Sequence, residues 1–81
     1  MPISDQLTNH ARRRAQQRAV TLDEIEAAYV SEDWEPGGWD DTVIRTVHLQ
    51  NGGSVSVVVA SDNYTIVSVW RNRAIGERHA T

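Results

Sequence analysis

The chain has 81 residues, a formal net charge of -3, 40% hydrophobic side chains and no cysteine. That length suits one small domain near the lower limit for an unaided core, and a cysteine-free sequence excludes disulfide staples and thiolate metal sites. The three histidines are far apart, with no zinc-like spacing, and no apolar run approaches the roughly 18 residues of a membrane span. With no signal peptide expected either, the sequence reads as a soluble, cytoplasmic protein with no metal, no cofactor and no membrane partner.

The first predicted element is a helix capped by Ser4 or Asp5 and running to about Arg18. It carries HARRRAQQRAV, residues 10–20, with four arginines in a chain that has no lysine. Genome composition accounts for such a bias, and so does selection for bidentate contact with carboxylate or phosphate, which arginine makes better than lysine. With Leu7 set at zero and about 100° per residue, Ala11 falls near 40°, Ala15 near 80°, His10 near -60°, Arg14 near -20° and Arg18 near 20°. Arg12 and Arg13 point away, toward solvent. His10, Arg14 and Arg18 therefore share the edge or the centre of the face that Leu7 and Ala11 turn to the core.

A guanidinium on that face needs a partner, because burying it alone is prohibitively costly. Two arrangements meet the need. Arg18 or Arg14 pairs with a carboxylate of the next helix or with carbonyls at the end of the first, or Arg14 stands beside His10 at the mouth of a groove where both address a phosphate. A histidine moves protons near neutral pH, and an arginine steadies the charge of a phosphorane.

A second helix opens at Thr21, where TLDE forms a capping box of Thr21 and Glu24. Leu22, Ile25, Ala28 and Tyr29 give it one apolar stripe. Residues 21–41 hold eight acids and no base. SEDWEPGGWDD, with Pro36, Gly37 and Gly38, reads as a loop; its Trp34 and Trp39 suit a lid or an interface, and with Asp40 and Asp41 that interface would meet a basic partner. Period-two segments follow at 42–49, 54–60 and 65–71, joined by QNGG and SDNY turns. The expected fold is α+β: two N-terminal helices on one face of a three- to four-stranded antiparallel sheet, a single domain over 1–73 with a flexible tail at 74–81. On the last strand, alternation sets Ile66, Ser68 and Trp70 on one face and Val67, Val69 and Arg71 on the other. Ser68 and Trp70 then line the open face, where Trp70 either stacks on a base or fills the small core. His48, on the face of Ile44 and Thr46, is a second candidate for proton transfer, after His10.

HARRRAQQRAVTLDEIEAA resembles the opening signature of the domain of unknown function 4258 family, His-Ala-x-x-Arg-x-x-x-Arg followed by a glycine-hydrophobic pair and an acidic helix start. His10, Ala11, Arg14 and Arg18 match, then Val20, Thr21, Glu24 and Ile25. VVVASDNYTIVSVWR is similar to the family's closing strands, with Ser68, Trp70 and Arg71 in the characteristic places, so the resemblance spans about residues 7 to 73. That family is grouped with the barnase–EndoU–colicin–RelE fold of metal-independent ribonucleases and toxins. The resemblance implies RNA cleavage with His10 as acid–base residue, Arg14 and Arg71 as phosphate clamp and Ser68 as orienting hydroxyl. Beside it, the reading of the faces sets Arg18, Trp70 and His48 as the expected substrate-binding residues. Ala19 stands where the family has glycine, so the inter-helix connection avoids positive φ or tolerates it at about 1 kcal/mol.

Two functions follow as expectations. One is a small toxin-like RNA endonuclease. The other is a non-enzymatic module that binds a protein partner, as a regulator, antitoxin or inhibitor does, through the acidic segment 31–41. The partners implied are RNA, a cognate antitoxin or immunity protein, or a second copy in a homodimer.

Overall fold

The computed structural model describes residues 3–39, 41–50 and 52–72. The chain opens with a 3₁₀ turn, Ile3–Gln6, and only then forms helix α1, Asn9–Gln17. The cap is Thr8, whose hydroxyl accepts the Ala11 N–H at 3.1 Å, and not Ser4 or Asp5. The cause is long-range. The Gln6 side chain donates to the Tyr64 carbonyl at 2.8 Å, the Thr8 N–H donates to the Ile66 carbonyl at 3.0 Å, and Leu7 bridges Ile66 in parallel. These bonds hold Leu7 and Thr8 extended between the 3₁₀ turn and the helix, so tertiary contact overrides helix propensity there.

Helix α1 ends in a Schellman motif. The Val20 N–H reaches back to the Ala15 carbonyl at 2.9 Å and the Ala19 N–H to that of Gln16 at 3.3 Å. Ala19 occupies the left-handed position with φ 53°, and Val20 and Ala15 are both buried, as the motif's hydrophobic contact requires. The expected choice between avoiding and tolerating positive φ is thus resolved in favour of tolerance.

Helix α2, Leu22–Tyr29, begins with the expected capping box: the Thr21 hydroxyl accepts from the Glu24 N–H and the Glu24 carboxylate from the Thr21 N–H, at 3.1 and 2.9 Å. Ile25 and Ala28 are its buried residues, while Leu22 at the first turn stays half exposed. Tyr29 packs at the margin of the core and its hydroxyl donates to the Asn63 carbonyl at 2.7 Å.

Four strands follow as an antiparallel meander: β1, Trp34–Pro36; β2, Val43–His48; β3, Ser54–Val59; β4, Ile66–Asn72, in sheet order β1-β2-β3-β4. The segment read as a loop therefore contributes a three-residue edge strand, paired Trp34 with Arg45, Glu35 with Ile44 and Pro36 with Val43. At the β2–β3 hairpin, Gly52 supplies a φ of 90° that other residues rarely adopt; Asn51 of the predicted turn and the predicted tail at 74–81 lie outside the described residues. The SDNY turn is organised by Asp62, whose carboxylate accepts from the N–H groups of Tyr64 and Thr65 at 2.9 and 2.8 Å.

Val55, Val57 and Val59 of β3 form the centre of the core with Ala11, Ala15, Ile25, Ala28, Ile66 and Val69, so both helices cover one sheet face. Strand β4 carries a bulge. Val58 pairs with Ser68 and Val59 with Ile66, which leaves Val67 as the extra residue. Ile66 and Val69 consequently both face the core, at 0% and 1% exposure, and Ile66 does not share the face of Ser68 and Trp70 that strict alternation assigns to it. Among the described residues no helix is long and apolar enough to cross a membrane.

Candidate functional site

Helix α1 packs against β4, the outer strand of the sheet, and its residues 10, 14 and 18 run along the side that looks past that edge. Ala11 and Ala15 are buried against the sheet because only a small side chain allows such close approach, and the stripe one position earlier in each turn is left at the rim. His10 and Arg18 are exposed and Arg14 is half-buried. Together with Ser68, Trp70 and Asn72 they line an open hollow of about 440 Å³, whose remaining walls are Val69 and Arg71. Among the described residues, none of His10, Arg14 and Arg18 has an ion-pair partner.

Arg71 differs from its neighbours. Its register with Val55 places it on the helix face of the sheet. Nη2 donates to Glu24 Oε1 at 2.6 Å and to the Ala19 carbonyl at 2.9 Å, and Nε donates to the Arg18 carbonyl at 3.4 Å. These are the carbonyls exposed at the end of α1, where the helix dipole is negative. The structural role open to Arg18 or Arg14 in the sequence is thus filled by Arg71, and the phosphate-clamp role implied for Arg71 competes with three existing bonds. The Glu24 carboxyl is held below its usual range chiefly by the Thr21 backbone hydrogen bond; burial opposes this, and the hydrogen bond and charge of Arg71 add to the lowering. With Arg71 neutralised by Glu24, the positive charge facing the hollow belongs to Arg14 and Arg18.

A second hollow, of about 550 Å³, lies on the sheet face that the helices leave open. His48 lines it, and its Nε2 lies 2.8 Å from Asp33 Oδ2. His48 therefore belongs to a different place from His10. Cross-strand pairing sets Thr46 opposite Ser56 and His48 opposite Ser54. The Thr46 and Ser56 hydroxyls bond at 2.8 Å, and the Asn72 amide donates to Ser54 Oγ at 3.0 Å. Trp70 and Asn72 line both hollows. Trp34 and Glu35 border the second one from β1.

The expected site residues fall into three groups. His10, Arg14, Arg18, Ser68, Trp70 and Arg71 come together at the α1–β4 hollow. His48 and Trp34 meet Trp70 across the open face. Trp39 and Asp41 stand apart on the β1–β2 connection, where Trp39 is 54% exposed, its carbonyl accepts from Thr42, and Asp41 has a φ of 57°; Asp40 lies outside the described residues. Sequence reasoning passed over Asn72, Ser54, Ser56 and Asp33. The first three were accessible as polar members of the period-two pattern, while Asp33 reaches His48 only through the β1–β2 pairing. No family model, no curated protein and no solved structure matches this chain.

Proposed function

We propose that the α1–β4 hollow binds a phosphodiester of RNA and cleaves it with the chain's own side chains, as a small toxin-like endonuclease acting in the cytoplasm. The observation that carries the proposal is the convergence of one imidazole and two guanidiniums without ion-pair partners among the described residues, His10, Arg14 and Arg18, on a hollow that also presents the Ser68 hydroxyl. The resemblance carried by His10, Arg14, Arg18 and Ser68 supports the same chemistry. In the proposed reaction the imidazole of His10 takes the proton of the 2′-hydroxyl, and that oxygen attacks the adjacent phosphorus. The P–O5′ bond breaks, and the imidazolium returns the proton to the departing O5′. The products are a 2′,3′-cyclic phosphate and a free 5′-hydroxyl. Arg14 and Arg18 balance the charge that builds on the non-bridging oxygens, a contribution that is largest in the transition state. Ser68 offers a hydrogen bond to one of those oxygens from the opposite rim. Arg71 is a positioning residue, because its bonds to Arg18 O and Ala19 O fix the end of the helix that carries the cations.

Incubation of single-stranded RNA with the purified chain tests the proposal. His10→Ala and Arg14→Ala are expected to lower the cleavage rate by about 10²-fold or more, and both side chains lie at the rim, so melting is expected to change little. Cleavage that survives His10→Ala, or a wild-type chain that leaves RNA intact, would overturn it.

A second function is favoured by one observation: Trp34 and Trp39 are 55% and 54% exposed on a stretch whose charged residues are all acidic. Large exposed aromatics amid one sign of charge suit a basic protein partner, such as an antitoxin's or regulator's target. Trp39→Ala and Asp41→Arg would each abolish such a complex, or a homodimer built on the same surface, in a sedimentation assay.

A further inference from the structure

The two hollows differ in chemistry although they share Trp70 and Asn72. The first offers cations and suits an anion. The second offers hydroxyls, the His48–Asp33 pair and the carboxylates of Asp33 and Glu35, with no arginine among its lining residues. A phosphate is repelled there, whereas a neutral ring that donates hydrogen bonds is favoured. One molecule satisfies both halves at once: a nucleotide, with its phosphate against Arg14 and its base across Trp70. An indole at that junction presents an apolar face for stacking.

We infer that the open-face hollow is a base-recognition subsite that selects amino-bearing bases over uracil. The inference rests on the phosphate-binding reading of the first hollow and extends it to the identity of the neighbouring base. Carboxylates accept hydrogen bonds and cannot donate them, so they match the exocyclic amine of cytosine, and equally those of adenine and guanine. Uracil carries a carbonyl oxygen where cytosine carries its amine, and that oxygen meets a carboxylate with repulsion. Cytosine and uracil are nearly the same size, which makes them the cleanest comparison. The floor is already ordered, because Thr46 is bonded to Ser56 and Asn72 to Ser54, so few side chains need to be fixed when a ring arrives.

The test is a binding titration of the full chain with cytidine 3′-monophosphate, uridine 3′-monophosphate and inorganic phosphate, followed by NMR through the indole N–H signals of its three tryptophans. Cytidine monophosphate is expected to bind about 5- to 100-fold more tightly than its uridine counterpart, the discrimination typical of a well-formed contact to a base edge. It should move the Trp70 signal, whereas inorganic phosphate should leave that signal nearly in place. The double variant Asp33→Asn with Glu35→Gln should bring the two nucleotides within about twofold of each other and leave inorganic phosphate binding unchanged; Arg14→Ala should weaken both nucleotides alike. Equal affinities in the wild type, with both nucleotides still dependent on Arg14, would remove the base subsite and leave the phosphate site standing. A preference for uridine would also overturn it. If neither nucleotide nor phosphate binds, both assignments fall together.

Discussion

Ala19→Gly tests the account of the helix connection. Ala19 sits at φ 53°, closing the Schellman motif of α1. An L-residue in the left-handed region costs about 1–2 kcal/mol through crowding of Cβ against the following carbonyl, and glycine avoids that cost. Glycine has a cost of its own, because the unfolded chain gains about 0.4–1 kcal/mol of conformational freedom. The difference leaves a net stabilisation of about 0.5–1 kcal/mol. Unfolding entropy of about 2.1 cal/mol/K per residue then converts this into a rise in Tm of about 3–6 °C for a chain of 81 residues. Scanning calorimetry or thermal circular dichroism reads the shift directly. Glycine keeps the carbonyl that Arg71 binds, so no contact is lost in the exchange. Ala19→Val is the opposing control, since a β-branched residue is still less tolerant of positive φ. A Tm that stays level or falls in Ala19→Gly would refute the reasoning, whatever Ala19→Val does.

Three further outcomes are expected. Arg71→Ala should destabilise the protein by about 2 kcal/mol in urea denaturation, since it frees Glu24 and the carbonyls at the end of α1, whereas Arg14→Ala should cost less than about 0.5 kcal/mol. Glu24 has a folded-state pKa below its ordinary value, so the stability it contributes is complete above that ordinary value and is lost as pH falls through the lowered one; Glu24→Gln should therefore flatten the acid side of a stability–pH profile measured by denaturant midpoint. Gly37→Ala should cost about 1–3 kcal/mol by thermal melting, because the new methyl would overlap Thr42 Oγ1 and come within 2.9 Å of Thr42 Cβ, beneath a buried side chain.

Local chemistry made much of this fold legible. The capping box depends on Thr21 and Glu24 alone, within one turn of each other, and is found where the sequence places it; the resemblance singled out Ala19, and the connection there does take positive φ. The candidate cationic stripe was legible for the same reason, since helical spacing alone aligns His10, Arg14 and Arg18. What escaped depends on contacts across the chain. The start of α1 moved to Thr8 because residues 6–8 bond to Tyr64 and Ile66, more than fifty residues away. The bulge at Val67 exchanged the faces of Ile66 and its neighbours, and no residue type announces it. Which arginine would serve the helix end was equally hidden: the sequence offered Arg18 or Arg14, and only the packing of α1 along β4 brings Arg71 to that place.

The hollow that gathers His10 and Arg14 with Ser68 and Trp70 is assembled from α1 and β4, the first α-helix and the last strand among the described residues. A nascent chain halted anywhere before β4 carries the cationic helix without its opposite wall. Whatever chemistry the finished groove supports, translation is complete through residue 72 before it can begin.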